Sequence, residues 1–199
     1  MSRWIIPFLL VALLGWVTLN TVTGDTPGSK GLPAGTKLPP FAIPLSSSNC
    51  RGRCDANVAT HSGQGKAGPR PACEVRRPDV LNSCELAERG PVVLAFVFEP
   101  VRACRDQLGV LDRVRARHPD VAFAAIDVRA DSASARKLAH GRKLPVGYDH
   151  DAAVADEYAV VVCPTIVFAR RGGVVMESTV KALDEAAVES RVRGLEAAG

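Results

Sequence analysis

The feature that most constrains the fold is an alternation of apolar runs and amphipathic stretches that begins at Pro91. The run "PVVLAFVF" (91–98) is uninterrupted and rich in β-branched and aromatic residues, which is typical of a strand buried on both faces. The next stretch carries Leu108, Leu111 and Val114 at helical spacing and ends before Pro119. A second apolar run, "VAFAAIDV" (121–128), predicts another buried strand. Two buried strands joined by a helix indicate an α/β domain.

The C-terminal half continues the same alternation. Residues 131–141 predict a helix with Asp131 or Ser132 as its cap and Gly141 as its stop. We expect a short helix over 152–160, and a strand, an Arg-Gly-Gly turn and a partner strand over 165–178. The stretch "ALDEAAVESRVRGLEAA" (182–198) predicts a final amphipathic helix. This order predicts a mixed central sheet sandwiched by helices.

Length and charge limit the possible functions. The chain has 199 residues, of which 47% are hydrophobic, so we expect one domain with appendages. Its formal charge is only +4, and acidic residues are interleaved with the arginines rather than segregated from them. No basic stripe results, and a nucleic-acid partner is therefore disfavoured.

The N-terminal segment indicates the compartment. "WIIPFLLVALLGWVTL" (4–19) carries no charge, and Arg3 precedes it, so residues 1–23 are predicted to form a single-pass membrane anchor with the domain on the extracytoplasmic side. A cleaved signal peptide is the alternative, with Val22 and Gly24 at the positions that a signal peptidase reads. Both interpretations export the domain. Residues 24–37, rich in Gly, Pro, Ser and Lys, are expected to be a flexible linker to a domain over 38–199.

A cysteine-rich insertion over about 45–90 separates the expected start of the domain at residue 38 from the alternating strands and helices after Pro91. It is mostly irregular, and a loop of that length is uncommon unless something holds it. In an exported chain disulfides are the economical device, and local pairing of Cys50 with Cys54 and of Cys73 with Cys84 is the first hypothesis, although sequence cannot choose the connectivity. Zinc is disfavoured because ten residues separate the second two cysteines, whereas zinc ribbons need close pairs. Neither a metal nor another cofactor is expected.

The order of elements, together with "CRDQL" (104–108), "PVGYDHDAAVADEYAV" (145–160) and "CPT" (163–165), resembles the thioredoxin-like fold. The resemblance is closest to the redoxin group of membrane-anchored thiol-disulfide oxidoreductases of the TlpA and ResA type, and it covers residues 38–42 and 91–197. It implies that Cys104 corresponds to the second cysteine of the Trp-Cys-x-x-Cys motif. It also implies that Pro164 is a cis-proline that helps to bind an extended substrate segment.

The chain departs from that family at the attacking cysteine. Val101 stands in its place and Pro100 replaces the motif's tryptophan. A two-cysteine oxidoreductase needs a second thiol. In the resembled fold the residue before the cis-proline faces the motif, so the resemblance implies Cys163 as the partner of Cys104. The two would form either a redox-active pair or a permanent disulfide.

We therefore expect a membrane-tethered protein that exchanges disulfides with exported protein thiols through Cys104 and Cys163. The alternative is a redox-inactive binding or scaffold module with structural disulfides. A third hypothesis is a peroxiredoxin-like peroxidase, which the Cys-x-x-Gln-Leu pattern from Cys104 resembles. That hypothesis is weaker because peroxiredoxins place a threonine three residues before their cysteine, and Val101 occupies this position.

Overall fold

The computed structural model describes residues 11–13, 30–50 and 54–198. The predicted membrane anchor or signal peptide at 1–23 therefore lies outside the described residues, except for 11–13. Within the described ranges we find no helix with the length and apolar character that a bilayer crossing requires.

Seven strands and five α-helices form the described domain, together with short 3-10 helices at Gly65–Ala67 and Ala72–Glu74. The strands are β1 (Ala42–Pro44), β2 (Val80–Asn82), β3 (Val92–Val97), β4 (Ala122–Val128), β5 (Val146–Asp149), β6 (Thr165–Ala169) and β7 (Val175–Thr179). The helices are α1 (Ser83–Arg89), α2 (Arg102–Arg115), α3 (Ser132–Ala139), α4 (Ala153–Glu157) and α5 (Glu185–Ala197).

Five strands build a central sheet in the order β5-β4-β3-β6-β7, and β1 pairs with β2 in a separate antiparallel ribbon. Strands β3, β4 and β5 are mutually parallel, whereas β6 is antiparallel to β3 and β7 is antiparallel to β6. The predicted mixed sheet is thus confirmed. Because the three parallel strands end at the same edge, the loops that follow them lie side by side there.

Strand β3 is apolar throughout because helices cover both faces of the sheet. Val93, Ala95 and Val97 belong to one core cluster with the apolar sides of α2 and α5, while Leu94 and Phe96 belong to the other with α1 and α4. All six residues of β3 are fully buried. Burial of this kind is the dominant favourable term in folding, so the sheet and its two helical layers supply the rigid frame for the edge loops.

The folded part begins before Leu38, the residue predicted as its start. The Gly35 and Leu38 amides donate to the Val175 and Gly173 carbonyls, at 2.8 Å each, so this segment runs beside the β6–β7 hairpin. Leu32 is 9% exposed and belongs to the core. The segment 32–37, which was expected to be linker, is therefore held to the domain by the buried Leu32 and by backbone hydrogen bonds, although its other residues are exposed. The preceding positions of that predicted linker, 24–29, lie outside the described residues.

The insertion also contains more regular structure than its sequence indicates. Strand β2 and helix α1 lie within 80–89, where the sequence predicts irregular chain. Asn82 ends the strand and caps the helix, since its Oδ1 accepts from the Cys84 amide at 2.8 Å and from the Glu85 amide at 3.3 Å. Both elements are short, and seven residues give too few turns for a helical period to stand out.

Candidate active site

Cys104 lies at the edge of the sheet where the chain passes from β3 to α2. The chain turns after Phe98, and the Val101 amide donates to the Phe98 carbonyl at 3.0 Å. Helix α2 then begins without a side-chain cap, and the Cys104 amide donates to the Val101 carbonyl at 3.1 Å. Cys104 is therefore in the first turn of a 14-residue helix, where the aligned backbone dipole favours negative charge.

The structure joins Cys104 to Cys163 by a disulfide, with 5.8 Å between the two Cα atoms and 59 residues of sequence separation. Cys163 immediately precedes Pro164, and the peptide bond between them is cis. Thr165 then opens β6, and its hydroxyl donates to the Val162 carbonyl at 2.7 Å, which fixes the turn before the proline. The sequence-predicted residues Cys104, Cys163 and Pro164 thus lie together.

The two sulfur-bearing residues differ in exposure. Cys104 is fully buried among the apolar side chains beneath α2, whereas Cys163 is only partly buried. Three large apolar residues on the adjoining segments are exposed: Val101 at 43%, Val161 at 63% and Val162 at 40%. We call these three residues the valine rim. Val101, which stands where the Trp-Cys-x-x-Cys motif would have its attacking cysteine, is therefore an exposed aliphatic residue.

The arginines beside Cys104 are engaged by acidic partners. Arg102 lies 3.8 Å from Asp106, and Arg105 lies 3.6 Å from Glu99. Glu99 also contacts Lys137 at 2.9 Å, and the hydrogen bond from that ammonium group, with help from Arg105, lowers the pKa of Glu99. Each of the two guanidinium groups beside Cys104 is thus paired with a carboxylate.

Asp127 is a functional candidate that sequence reasoning missed. It is the penultimate residue of β4, is fully buried, and accepts from the Glu99 amide and the Ser134 hydroxyl at 3.2 Å each. Burial raises its pKa to about 6. The signal in the sequence was a lone carboxylate inside an apolar run. It connects the loop before α2 to helix α3.

The other four cysteines lie away from this bond. Cys50 is bonded to Cys54 and Cys73 to Cys84, with Cα separations of 6.4 and 5.5 Å. Within the described ranges no group of three His, Cys, Asp or Glu side chains has the arrangement of a metal site.

Solved structures with the same architecture identify the fold. A secreted Mycobacterium tuberculosis disulfide oxidoreductase homologous to E. coli DsbE is 24% identical and has a TM-score of 0.53, with 58% of this chain and 89% of that chain covered. The fold is thioredoxin-like. A Chlorobium tepidum protein assigned as thiol:disulfide interchange protein DsbE gives a TM-score of 0.62 at 18% identity, covering 82% and 98% of the two chains.

The thioredoxin-like fold is also that of the peroxidoxin BcpB from Mycobacterium tuberculosis, which is 14% identical with a TM-score of 0.58 and coverage of 85% and 97%. No family model and no curated relative matches the chain. At these identities the likeness establishes the thioredoxin-like architecture, and the resemblance seen in the sequence is confirmed at that level.

Proposed function

We propose that this protein exchanges disulfides with exported proteins through the Cys104–Cys163 bond. The observation that carries the proposal is the position of the bond, between the first turn of α2 and the residue before Pro164, with Cys163 partly exposed next to two residues of the valine rim. The thioredoxin-like neighbours described as disulfide oxidoreductases support it. As part of the same proposal, residues 1–23 hold the domain at the outer side of a membrane.

The exposure difference supports separate roles for the two cysteines in this proposal. A substrate thiolate attacks Cys163 Sγ, a new S–S bond forms between substrate and Cys163, and the electron pair of the old bond leaves on Cys104 Sγ. The Cys104 thiolate is then stabilised by the α2 dipole and takes up a proton that solvent supplies. A second substrate thiolate attacks the substrate sulfur of the mixed disulfide, which releases an oxidised substrate and the Cys163 thiolate. The reverse sequence reduces a substrate disulfide.

Substrate binding follows from the surfaces around the bond. The valine rim offers apolar contact to an unfolded or extended segment, and exposed apolar patches commonly mark interaction sites. Cys163 and the cis-proline Pro164 immediately precede β6, so the backbone of an extended segment can lie beside the sulfur that is attacked. Protein substrates with extended cysteine-containing segments therefore fit this site better than small thiols.

The test is disulfide mapping by mass spectrometry on the full-length chain in a graded series of glutathione buffers. We expect the Cys104–Cys163 bond to open in less reducing buffers than the Cys73–Cys84 bond, with circular dichroism unchanged, because exchangeable disulfides have less reducing potentials than structural ones. A Cys104→Ser variant should then accumulate mixed disulfides at Cys163 with unfolded protein substrates that carry a disulfide, because the Cys163 thiolate attacks the substrate bond and Cys104 is no longer present to release the product. The Cys84→Ser variant is the matched control and should accumulate none at Cys163.

One observation favours the scaffold alternative, and the same titration decides it. Cys104 is wholly buried, as cysteines in structural disulfides usually are. If the Cys104–Cys163 bond resists reduction as firmly as Cys73–Cys84, or if it opens only as the domain unfolds, the exchange proposal fails. A peroxidase reaction at Cys104 is disfavoured, because peroxide needs access to a thiolate and this sulfur is buried and bonded.

A further inference from the structure

A polar cavity opens at the same edge of the sheet, between the Cys50–Cys54 bond and the start of α3. Its volume is about 500 Å³. Strands β4 and β5 are parallel, so the residues that follow their carboxyl ends meet here. The residues lining the cavity are Ser48, Asn49, Cys50, Cys54, Asp131, Ser132, Arg136, Tyr148 and His150.

The disulfide in this cavity has one accessible end. Cys50 is exposed, whereas Cys54 is 8% exposed and packs in a small cluster with Tyr148 and two alanines. A nucleophile in the cavity can therefore approach Cys50 Sγ, and the leaving sulfur would be the buried Cys54. This is the same asymmetry of one reachable and one sheltered sulfur that the Cys104–Cys163 bond shows, but here a cavity large enough for a small molecule adjoins it.

The Tyr148 hydroxyl points to a ligand. Tyr148 is 2% exposed, and within the described ranges its hydroxyl has no hydrogen-bond partner. Buried polar groups are nearly always paired, because an unpaired one loses its water without compensation. Burial raises the pKa of Tyr148, so the group is a neutral hydroxyl that can donate or accept. A ligand in the cavity could supply the hydrogen bond that the Tyr148 hydroxyl lacks among the described residues.

The charged groups of the cavity define the kind of ligand. Arg136 supplies a cation, held by a 3.2 Å hydrogen bond from its guanidinium group to the Ser132 hydroxyl. Asp131 supplies an anion, and it accepts from the Ala133 and Ser134 amides through Oδ1 at 3.0 and 2.8 Å. His150 faces Asp55 at 3.1 Å. A guanidinium and a carboxylate that line the same cavity, five residues apart in the sequence, suit a ligand that carries both a carboxylate and an ammonium group.

We propose that Cys50–Cys54 is a second exchangeable disulfide, and that this cavity binds its reductant, a small zwitterionic thiol of the cysteine type. The ligand carboxylate pairs with Arg136, its ammonium group pairs with Asp131, and the Tyr148 hydroxyl hydrogen-bonds to the ligand. The thiolate attacks Cys50 Sγ, a mixed disulfide forms, and Cys54 leaves as a thiolate that takes up a proton. A second thiolate attacks the ligand sulfur, which yields a small-molecule disulfide and frees Cys50, so two thiols are oxidised for each bond reduced.

The test compares three small thiols on the oxidised full-length chain. L-Cysteine carries both charges, cysteamine lacks the carboxylate and 3-mercaptopropionate lacks the ammonium group. Each disulfide is followed separately by rapid quenching, differential alkylation and mass spectrometry, with rates compared at equal thiolate concentration. We expect L-cysteine to reduce Cys50–Cys54 about tenfold faster than either analogue, since a hydrogen bond to a charged group contributes that order of selectivity. Cys73–Cys84 should show no such preference.

Two variants connect the preference to the cavity. Arg136→Gln should abolish the advantage of L-cysteine over cysteamine while leaving its advantage over 3-mercaptopropionate, and Tyr148→Phe should slow L-cysteine at this bond alone. Arg193→Gln, a change at an exposed arginine of α5 outside the cavity, is the matched control and should change neither ratio. The proposal is overturned if the wild-type chain shows equal rates for the three thiols, or if the preference survives Arg136→Gln.

This inference does not depend on the function proposed for Cys104–Cys163. Because each bond is read separately, selective reduction of Cys50–Cys54 with an inert Cys104–Cys163 bond would support the second site and refute the first proposal. The opposite pattern would leave the proposed function standing and remove the zwitterionic thiol site.

Discussion

Residues 54–79 and the regular part after Pro91 are held together by different forces. Between 54 and 79 the buried apolar side chains are Cys54 and three alanines, Ala56, Ala59 and Ala72. After Pro91 large aliphatic and aromatic side chains fill two layers, one on each face of the sheet. Alanine buries little apolar area, so the first region depends on disulfides and side-chain to backbone hydrogen bonds, whereas the second depends on packing.

Asn82 shows how the first region manages without a core. Its side-chain amide donates to the Ala72 carbonyl at 2.7 Å and to the Val75 carbonyl at 3.1 Å, while its oxygen caps α1. The Cys73–Cys84 bond ties the same two segments covalently. One buried amide and one disulfide thus hold these two segments together, a role that apolar packing has in the rest of the domain.

The largest effect should come from the packed region. Leu108 is fully buried beneath α2, so Leu108→Ala should lower the free energy of unfolding by about 3 to 4 kcal/mol, through lost burial and the cavity left behind. Denaturant unfolding measures this. Val110→Ala, on the same helix but only partly buried, should cost less than half as much. Equal losses would mean that α2 does not pack as described and would remove the contrast between the two regions.

The next effect tests the covalent region. Replacing Cys73 and Cys84 together by serine should cost about 2 to 3 kcal/mol, the loop-entropy contribution of a ring of roughly a dozen residues. Because Asn82 holds the same segments, Asn82→Ala combined with the two serines should cost more than the sum of the separate losses. Denaturant unfolding under non-reducing conditions provides the double-mutant cycle. Strictly additive losses of unfolding free energy would show that the Asn82 amide and the disulfide stabilise the protein independently of each other.

The same contrast explains which elements could be predicted from the sequence. Strands β3 and β4 were predictable because burial on both faces demands an unbroken apolar run, and the caps of α3 were readable from Asp131 and Gly141. Strand β5 was missed because its four residues, "VGYD", present only two large apolar side chains around Gly147. A Cβ on that glycine would come within 2.7 Å of Ile43, a close approach that no local pattern reveals.

The candidate site divides in a similar way. The resemblance indicated Cys104, Cys163 and Pro164, because these residues belong to two short sequence motifs, "CRDQL" and "CPT", that can each be recognised locally. The missing part is set by contacts over long separations. The pairing of Arg105 with Glu99 and the bonds of Asp127 depend on which loops meet at the sheet edge. So does the Tyr148 hydroxyl, which has no hydrogen-bond partner among the described residues.

A third prediction concerns a polar group inside the packed region. Burial raises the pKa of Asp127 from 3.8 to about 6, so the folded state binds a proton more firmly than the unfolded chain does between those two pH values. The free energy of unfolding should therefore fall as the pH rises from 3.8 to about 6 and then level off. Asp127→Asn should remove this contribution and raise stability at pH 7 by about 1 to 2 kcal/mol.

Asp149 is the matched control for that measurement. It ends the neighbouring strand β5, is also buried with a pKa raised to about 6, and accepts from the Ala155 amide at 2.8 Å. Asp149→Asn should flatten the pH dependence of stability to a similar degree. Only Asp127→Asn should also change the rate at which Cys104–Cys163 is reduced, because Asp127 bonds to Glu99 in the loop before α2. A change of that rate in both variants would refute the link.

The smallest effect lies outside the core, where His118 joins α2 to α5. Its ring nitrogens contact Glu196 at 2.8 Å and Glu189 at 3.0 Å. Burial lowers the pKa of His118, but the hydrogen bonds to the two carboxylates together raise it by more, so the net direction is upward. The stabilisation should be complete below the pKa of histidine in the unfolded chain and should disappear as the pH rises through the folded-state pKa.

His118→Gln should therefore cost no more than about 1 kcal/mol at pH 5.5 and close to nothing at pH 9, because these partners are close to solvent. Thermal unfolding at the two pH values measures the difference. Arg117 contacts the same Glu189 at 2.9 Å, and Arg117→Gln should lower stability about equally at both pH values, since a guanidinium does not titrate there. If His118→Gln instead cost as much as Leu108→Ala, a polar contact would be holding the packed region, and the division between the two regions would fail.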